Sequence, residues 1–213
     1  MRRAVLALLA VAVAAGAPAA CGGDDEDAAG GASATEDAFL KGMIPHHESA
    51  VEMAEIAVDR GEHAAVEQLA GAIIEAQNAE IAYMEQIYNR LTGGEILPDP
   101  AAHEELGLSQ DAAGMHEGGA VMLENAMKDF DKAFIDEMIP HHQGAIRQAR
   151  IVLGETDDGE VRKLANAIVD AQTREIEQMN RWRERWYGSP SPAGGVPSEN
   201  EELPPPGEHE SGH

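Results

Sequence analysis

The chain of 213 residues holds one cysteine, few aromatic residues (4%), and only 15 Lys and Arg against 39 Asp and Glu. A single cysteine excludes an internal disulfide and a cysteine-based zinc site. The formal net charge of −24 excludes a nucleic-acid binder, which must neutralise phosphates with bases. It also opposes direct docking on anionic lipid. No nucleophile–base pair and no phosphate-binding glycine loop is present. With few aromatics but abundant Ala, Leu, Ile and Met, the composition points to helices packed through small side chains rather than to a β-sandwich. The hydrophobic fraction of 43% is too high for a wholly disordered chain.

The longest apolar run, Ala4 to Ala17, is too short to span a bilayer comfortably. Preceded by Arg2 and Arg3, it reads as a signal peptide over residues 1–20. Small residues before Cys21 resemble the lipobox of bacterial lipoproteins, although Pro18 stands where that motif has an aliphatic residue. The resemblance implies lipidation of Cys21, a lipid anchor in the membrane, and an exported protein on the extracellular or periplasmic side. Residues 21–35 are acidic and glycine-rich, and read as a flexible tether. Residues 188–213, rich in Pro, Gly, Ser and Glu and carrying His209 and His213, read as a disordered tail.

Between these ends lies an internal repeat. Met43-Ile44-Pro45-His46-His47 recurs as Met138-Ile139-Pro140-His141-His142, an offset of 95 residues that continues without a gap. Each copy, 36–91 and 131–187, shows two apolar stripes at helical spacing, parted by Gly61 in one and by Asp157-Asp158-Gly159 in the other. Two such hairpins bury their apolar faces together, so the expected fold is all-α, a four-helix bundle. Residues 92–130 form a crossover in which Met115, Val121, Met122, Leu123, Ala126 and Met127 suggest one amphipathic helix. Glu52, Glu55 and Glu67 correspond to Arg147, Arg150 and Arg162. These pairs either register the hairpins across a pseudo-axis or are ordinary solvated surface.

Proline beside two histidines is not helix filler. Either a helix begins at Pro45 and Pro140 or it kinks there, freeing a carbonyl near Lys41 or Asp136. Neighbouring residues on a helix point about 100° apart, so one histidine of each pair is expected in the core and the other on its shoulder. Met43 and Met138 share a face with one histidine of each pair. On the partner helices Gln77, Glu80 and Met84, repeated as Gln172, Glu175 and Met179, fall along the same stripe. Imidazole and thioether together suit a transition metal, with thioether favouring Cu(I). The alternative is that each histidine hydrogen-bonds Gln77 or Glu80 and locks a hairpin. Met53, Met115, Met122 and Met127 read as packing, with His116 beside Met115 keeping the crossover in view.

The Met-x-x-His-His helix followed by Gln-x-x-Glu-Ile-x-x-Met resembles the domain of unknown function 305 family, in two tandem copies over residues 36–187. The resemblance implies a ferritin-like bundle, export, and copper as the metal. It carries to Met43, His46, His47, Met138, His141 and His142 as metal ligands. It carries less directly to Gln77, Glu80, Met84, Gln172, Glu175 and Met179, as ligands or as supports behind them. The expected function is an exported, membrane-anchored copper binder for buffering or resistance; the alternative is a non-catalytic module of the cell envelope with histidines in packing roles. A di-iron oxidase is disfavoured because Met43 and Ile44 stand where Glu-x-x-His would need carboxylates.

Overall fold

The computed structural model of the chain describes residues 31–116, 118–199 and 201. The expected signal peptide, Cys21, His209 and His213 lie outside the described residues. Among the described residues five α-helices follow in order: α1 Ala34–Arg60, α2 Ala64–Thr92, α3 Gly119–Asn125, α4 Phe130–Glu155 and α5 Gly159–Tyr187. A 3-10 turn spans Ala102–Glu104. Among the described residues no strand occurs, and no helix is long and apolar enough to cross a membrane.

Local chemistry sets the ends of the long helices. Ser33 and Glu36 form a reciprocal capping box at the start of α1. Gly93, at φ 71°, closes α2 in the left-handed region open to glycine. Asp158 starts α5 by accepting from the backbone N–H groups of Glu160 and Val161, both at 3.0 Å. Helices α1 with α2 and α4 with α5 are the two hairpins, and they meet chiefly through α1 and α4.

The hairpins are related by a pseudo-two-fold axis that the core records residue by residue. One apolar cluster holds Ala50, Ala54, Val66, Leu69 and Ile73 of the first repeat with Phe134, Ile135, Met138 and Ile139 of the second. The other holds Ala145, Ala149, Val161, Leu164 and Ile168 with Phe39, Leu40, Met43 and Ile44. Adding 95 to each first-repeat number in one cluster gives a member of the other. Two buried acids brace the halves in the same symmetry. Asp131 accepts from the N–H groups of Glu62 (2.8 Å) and His63 (2.9 Å) in the α1–α2 turn. Its counterpart Glu36 takes the hydroxyl of Thr156 in the α4–α5 turn.

The prolines do not begin helices. Pro45 and Pro140 lie inside α1 and α4. The carbonyl of Lys41, which Pro45 cannot satisfy, accepts instead from the N–H of Asp99 at 3.0 Å. The crossover is thereby pinned onto α1, and the rest of it packs as well. Leu106, Leu108, Ala112 and Ala113 form a third apolar cluster with Ala38 and Ala102. Two glycines admit this close approach. A Cβ on Gly42 would stand 3.3 Å from the Ala102 Cβ, and one on Gly144 only 2.0 Å from the Ala113 carbonyl oxygen.

The expected short crossover helix is α3, which buries Leu123 but leaves Val121 and Met122 exposed, with Met127 beyond it 91% exposed. Met115 lies outside it, in a stretch held in turns. One expectation is corrected. The expected disordered tail is, over residues 188–199, a strap across α4 and α5. Gln143 donates to the carbonyls of Ala193 (2.9 Å) and Gly195 (2.7 Å), Asn180 donates to Gly194 (2.7 Å), and Ser191 is buried. Polar composition concealed it because its bonds run through the backbone. Of the two readings of the Glu–Arg positions, ordinary surface holds and the registration pairs do not form. Glu52 and Glu55 are exposed, while Arg147 pairs with Glu201 and Arg150 donates to the Pro197 carbonyl. Arg162 turns back to the carbonyls of Leu153 and Thr156.

A methyl group at Gly144 must displace backbone, so Gly144→Ala is expected to destabilise the fold by about 1–3 kcal/mol or more. At Gly71, inside α2 with nothing within 4 Å of an added Cβ, Gly71→Ala should stabilise by about 0.5–1 kcal/mol. Denaturant unfolding of the two variants checks both signs.

Candidate metal centre

The four histidines of the repeated motif form one polar layer where α1 crosses α4, between the two apolar clusters. All are buried, with relative exposures of 0% for His46, His47 and His142 and 3% for His141. The expectation that one histidine of each pair lies on the shoulder is therefore corrected; the crossover covers the face that a bare bundle would leave open. His46 and His141, equivalent under the repeat, meet across the pseudo-axis with ring centroids 3.8 Å apart. Within each pair the rings stand 6.3 and 6.4 Å apart, both at 57°.

Hydrogen bonding fixes most of the tautomers. His47 Nε2 lies 2.7 Å from Glu80 Oε2, and His142 Nε2 lies 2.7 Å from Glu175 Oε2. A carboxylate only accepts, so each Nε2 carries a proton, and in the neutral ring each Nδ1 presents a bare lone pair. His46 Nε2 donates to the Ala113 carbonyl at 3.1 Å, which leaves its Nδ1 bare as well. His141 has no partner at either nitrogen. The Nδ1 atoms of His46, His47 and His142 are equally buried and unpartnered, as are the side-chain oxygens of Gln77, Gln148 and Gln172 and the amide nitrogen of Gln172. Each buried polar group without a partner costs about 1–3 kcal/mol. The layer is thus a concentration of unmatched donors and acceptors inside a buried core.

Electrostatics keeps the two central rings neutral. Burial, followed by the neighbouring imidazoles, pushes His46 and His141 well below the usual histidine value. Neutral imidazole is the form that ligates a metal.

The sulfurs lie on both sides of this layer. Met43 and Met84 belong to one apolar cluster, Met138 and Met179 to the other, and all four are fully buried. The structure therefore brings together His46, His47, His141, His142, Glu80 and Glu175, buries Gln77 and Gln172 on the partner helices, and sets the four methionines in the flanking apolar layers. Among the described residues no group of three or more His, Cys, Asp or Glu side chains converges on a single ion-sized point. Sequence reasoning missed Gln148, which reaches the Ala113 carbonyl at 3.3 Å, and missed Ala113 itself. Neither has a sequence signal, because both act through a loop carbonyl.

A family model described as a domain of unknown function, DUF305, matches residues 36–183 and again 131–212. Structures of CopM are 33% identical to this chain. The Ag-bound form covers 72% of this chain and 97% of CopM at a TM-score of 0.60, and the Cu(I)-bound form covers 72% and 98% at 0.59. A DUF305 protein from Streptomyces coelicolor shares the fold at a TM-score of 0.65, with 24% identity over 75% of this chain and 98% of its own. Among curated proteins, the uncharacterized protein L153 of Acanthamoeba polyphaga mimivirus is 38% identical over 50 residues, 24% of this chain. This chain spans about a third of that protein's length.

The depressed proton affinity of His46 and His141 has a defined sign for stability. Above the ordinary value of 6.5 folded and unfolded chains both hold these rings neutral, and the full stability is present. Below it the unfolded chain binds protons that the folded layer refuses, so stability is lost as pH falls from 6.5 through the folded values. Urea unfolding of apo wild type and of His46→Gln/His141→Gln on either side of that value checks this. The wild type should lose more stability on acidification than the variant.

Proposed function

The chain belongs to the DUF305 family, and from that membership and the histidine layer we propose that it is an exported copper-binding protein that buffers the ion or passes it on. One observation carries the reading: four buried imidazoles, three of them hydrogen-bonded at one nitrogen and unpartnered at the other, meet in a core that offers those nitrogens no partner. A cation would supply that missing partner. The similarity to CopM, whose structures include Cu(I)-, Cu(II)- and Ag-bound forms, supports copper among the metals that imidazole accepts.

The residues that would hold the ion are His46, His47, His141 and His142, with Met43 and Met138 as soft donors. Bound copper would take electron density from imidazole nitrogen and, as Cu(I), from thioether sulfur. Glu80 and Glu175 hold His47 and His142 by Nε2 and leave each Nδ1 buried without a partner, the role carboxylates play behind metal-binding histidines. Gln77 and Gln172, one helical turn away from those glutamates, line the same layer. Export and a lipid anchor at Cys21 rest on the signal-like segment and lipobox-like residues before it. The acidic surface would raise the local concentration of cations.

A second reading has its own observation. The identical His47–Glu80 and His142–Glu175 bonds tie α1 to α2 and α4 to α5, and would lock the hairpins with or without a metal.

Titration of the purified chain with Cu(I) and Cu(II) in competition with chelators separates the two. Copper binding should be abolished in His46→Ala/His141→Ala, and weakened about 10–100-fold in Glu80→Gln/Glu175→Gln. Absence of binding by wild type, with a melting temperature indifferent to chelators, would leave only the lock. For the anchor, Cys21→Ser should release the protein from the membrane fraction and abolish incorporation of a labelled fatty acid; unchanged membrane attachment would refute lipidation.

A further inference from the structure

The histidine layer is symmetric, but its surroundings are not. On the His46 side the crossover closes the bundle. Gly42 lies against Ala102 and Gly144 against Ala113, while the Ala113 carbonyl takes hydrogen bonds from both His46 and Gln148. Under the 95-residue offset, Gly42, Gly144 and Gln148 correspond to Glu137, Ser49 and Met53. On the His141 side these side chains, with His116 and two backbone glycines, line a small cavity of about 10 Å³, room for one water-sized occupant.

Its lining runs from surface to core. The His116 side chain is 39% exposed, with Nδ1 3.3 Å from Asp111 Oδ1. Glu137 is half-buried, Met53 is 2% exposed and His141 is 3% exposed. The Met53 sulfur and the Glu137 carboxylate sit together over Gly119, 3.0 and 3.7 Å from the place its Cβ would occupy. Burial raises the Glu137 carboxyl above its ordinary range, and the nearby His116 opposes that shift. At the inner end His141 is the one histidine of the layer with no partner at either nitrogen.

We propose that His116, Glu137 and Met53 form an entry site for a soft monovalent cation, which they pass inward to His141. The inference rests on the copper-binding reading. Imidazole, carboxylate and thioether are the donors that a cation leaving water for a buried site can use in succession. The three do not close round one point, so they act as stations along a path and not as a second chelate. On the opposite side glycines on α1 and α4 admit the crossover at the positions where the entry side carries Ser49, Met53 and Glu137. His116 and Met53, set apart in the sequence only as packing or as a neighbour of Met115, acquire a role that the buried layer alone does not give them.

The test is the rate of loading. Full-length protein is mixed with Ag(I), a redox-silent probe, and with Cu(I), in wild type and in His116→Ala, Met53→Leu and Glu137→Gln. Each variant should load about tenfold more slowly and release its ion more slowly by the same factor, with equilibrium affinity unchanged. Met53→Leu keeps the side-chain volume, so slowed loading there reports the sulfur and not a packing defect. Loading at the wild-type rate in all three overturns the entry site while leaving the copper-binding reading intact. Loss of affinity to the level of His46→Ala/His141→Ala also overturns it, by making these residues part of the inner site. Absence of uptake by wild type overturns the copper-binding reading and this inference together.

Discussion

Placing four imidazoles where two helices cross inside an apolar bundle is the constraint from which the other features follow. Imidazole always has one donor and one acceptor or two donors, and a dry core supplies neither by default. Three of the eight ring nitrogens find oxygen partners within the chain: Glu80, Glu175 and the Ala113 carbonyl. Those partners dictate much of the architecture. The glutamates must stand on α2 and α5 at the height of the motif, and the crossover must bring a carbonyl to His46. Gly144 is required because the crossover backbone at Ala113 presses directly against α4 at that position. The remaining nitrogens are left over by the same arithmetic of donors and acceptors.

The proline of each motif belongs to this scheme. A helix that continues through Pro45 keeps His46 and His47 in register with the core positions before it, while surrendering one carbonyl. The crossover takes that carbonyl through Asp99. A break in one helix thus serves as the docking point for the segment that roofs the histidines. The aromatic residues are equally local in effect: Trp182 stacks on Trp186 at 5.4 Å and Trp186 on His63 at 3.9 Å. They close one end of the bundle beside the turn that Asp131 braces.

The fold was largely legible because it depends on periodicity and duplication. Apolar stripes at helical spacing fixed the hairpins, and the constant offset paired Phe39 with Phe134 and Ala50 with Ala145, which the structure sets in opposite clusters. The partners Glu80 and Glu175 were legible for the same reason, since helical phase puts them opposite the histidines. What stayed hidden was carried by backbone groups. Ala113 acts through its carbonyl and Gly144 through the absence of a side chain, and neither leaves a chemical signature. The strap at 188–199 looked disordered because Pro, Gly and Ser rarely bury side chains, yet its carbonyls are held by Gln143, Asn180 and Arg150. Charge complementarity between repeat positions produces no pairing, since Arg150 and Arg162 reach carbonyls and Arg147 reaches Glu201.

The reciprocal braces have a consequence for how such a molecule can change. Glu36 completes the turn of the second hairpin and Asp131 that of the first, so each hairpin finishes the other as two subunits of a symmetric dimer would. In a true dimer of one hairpin, any substitution appears twice and both faces of the histidine layer must stay alike. Joining the copies in one chain removes that obligation. One face can then gather glycines and be sealed by the linker, while the other gathers a methionine and a carboxylate. A single covalent connection thus converts a centre with two equivalent approaches into one with an inside and an outside.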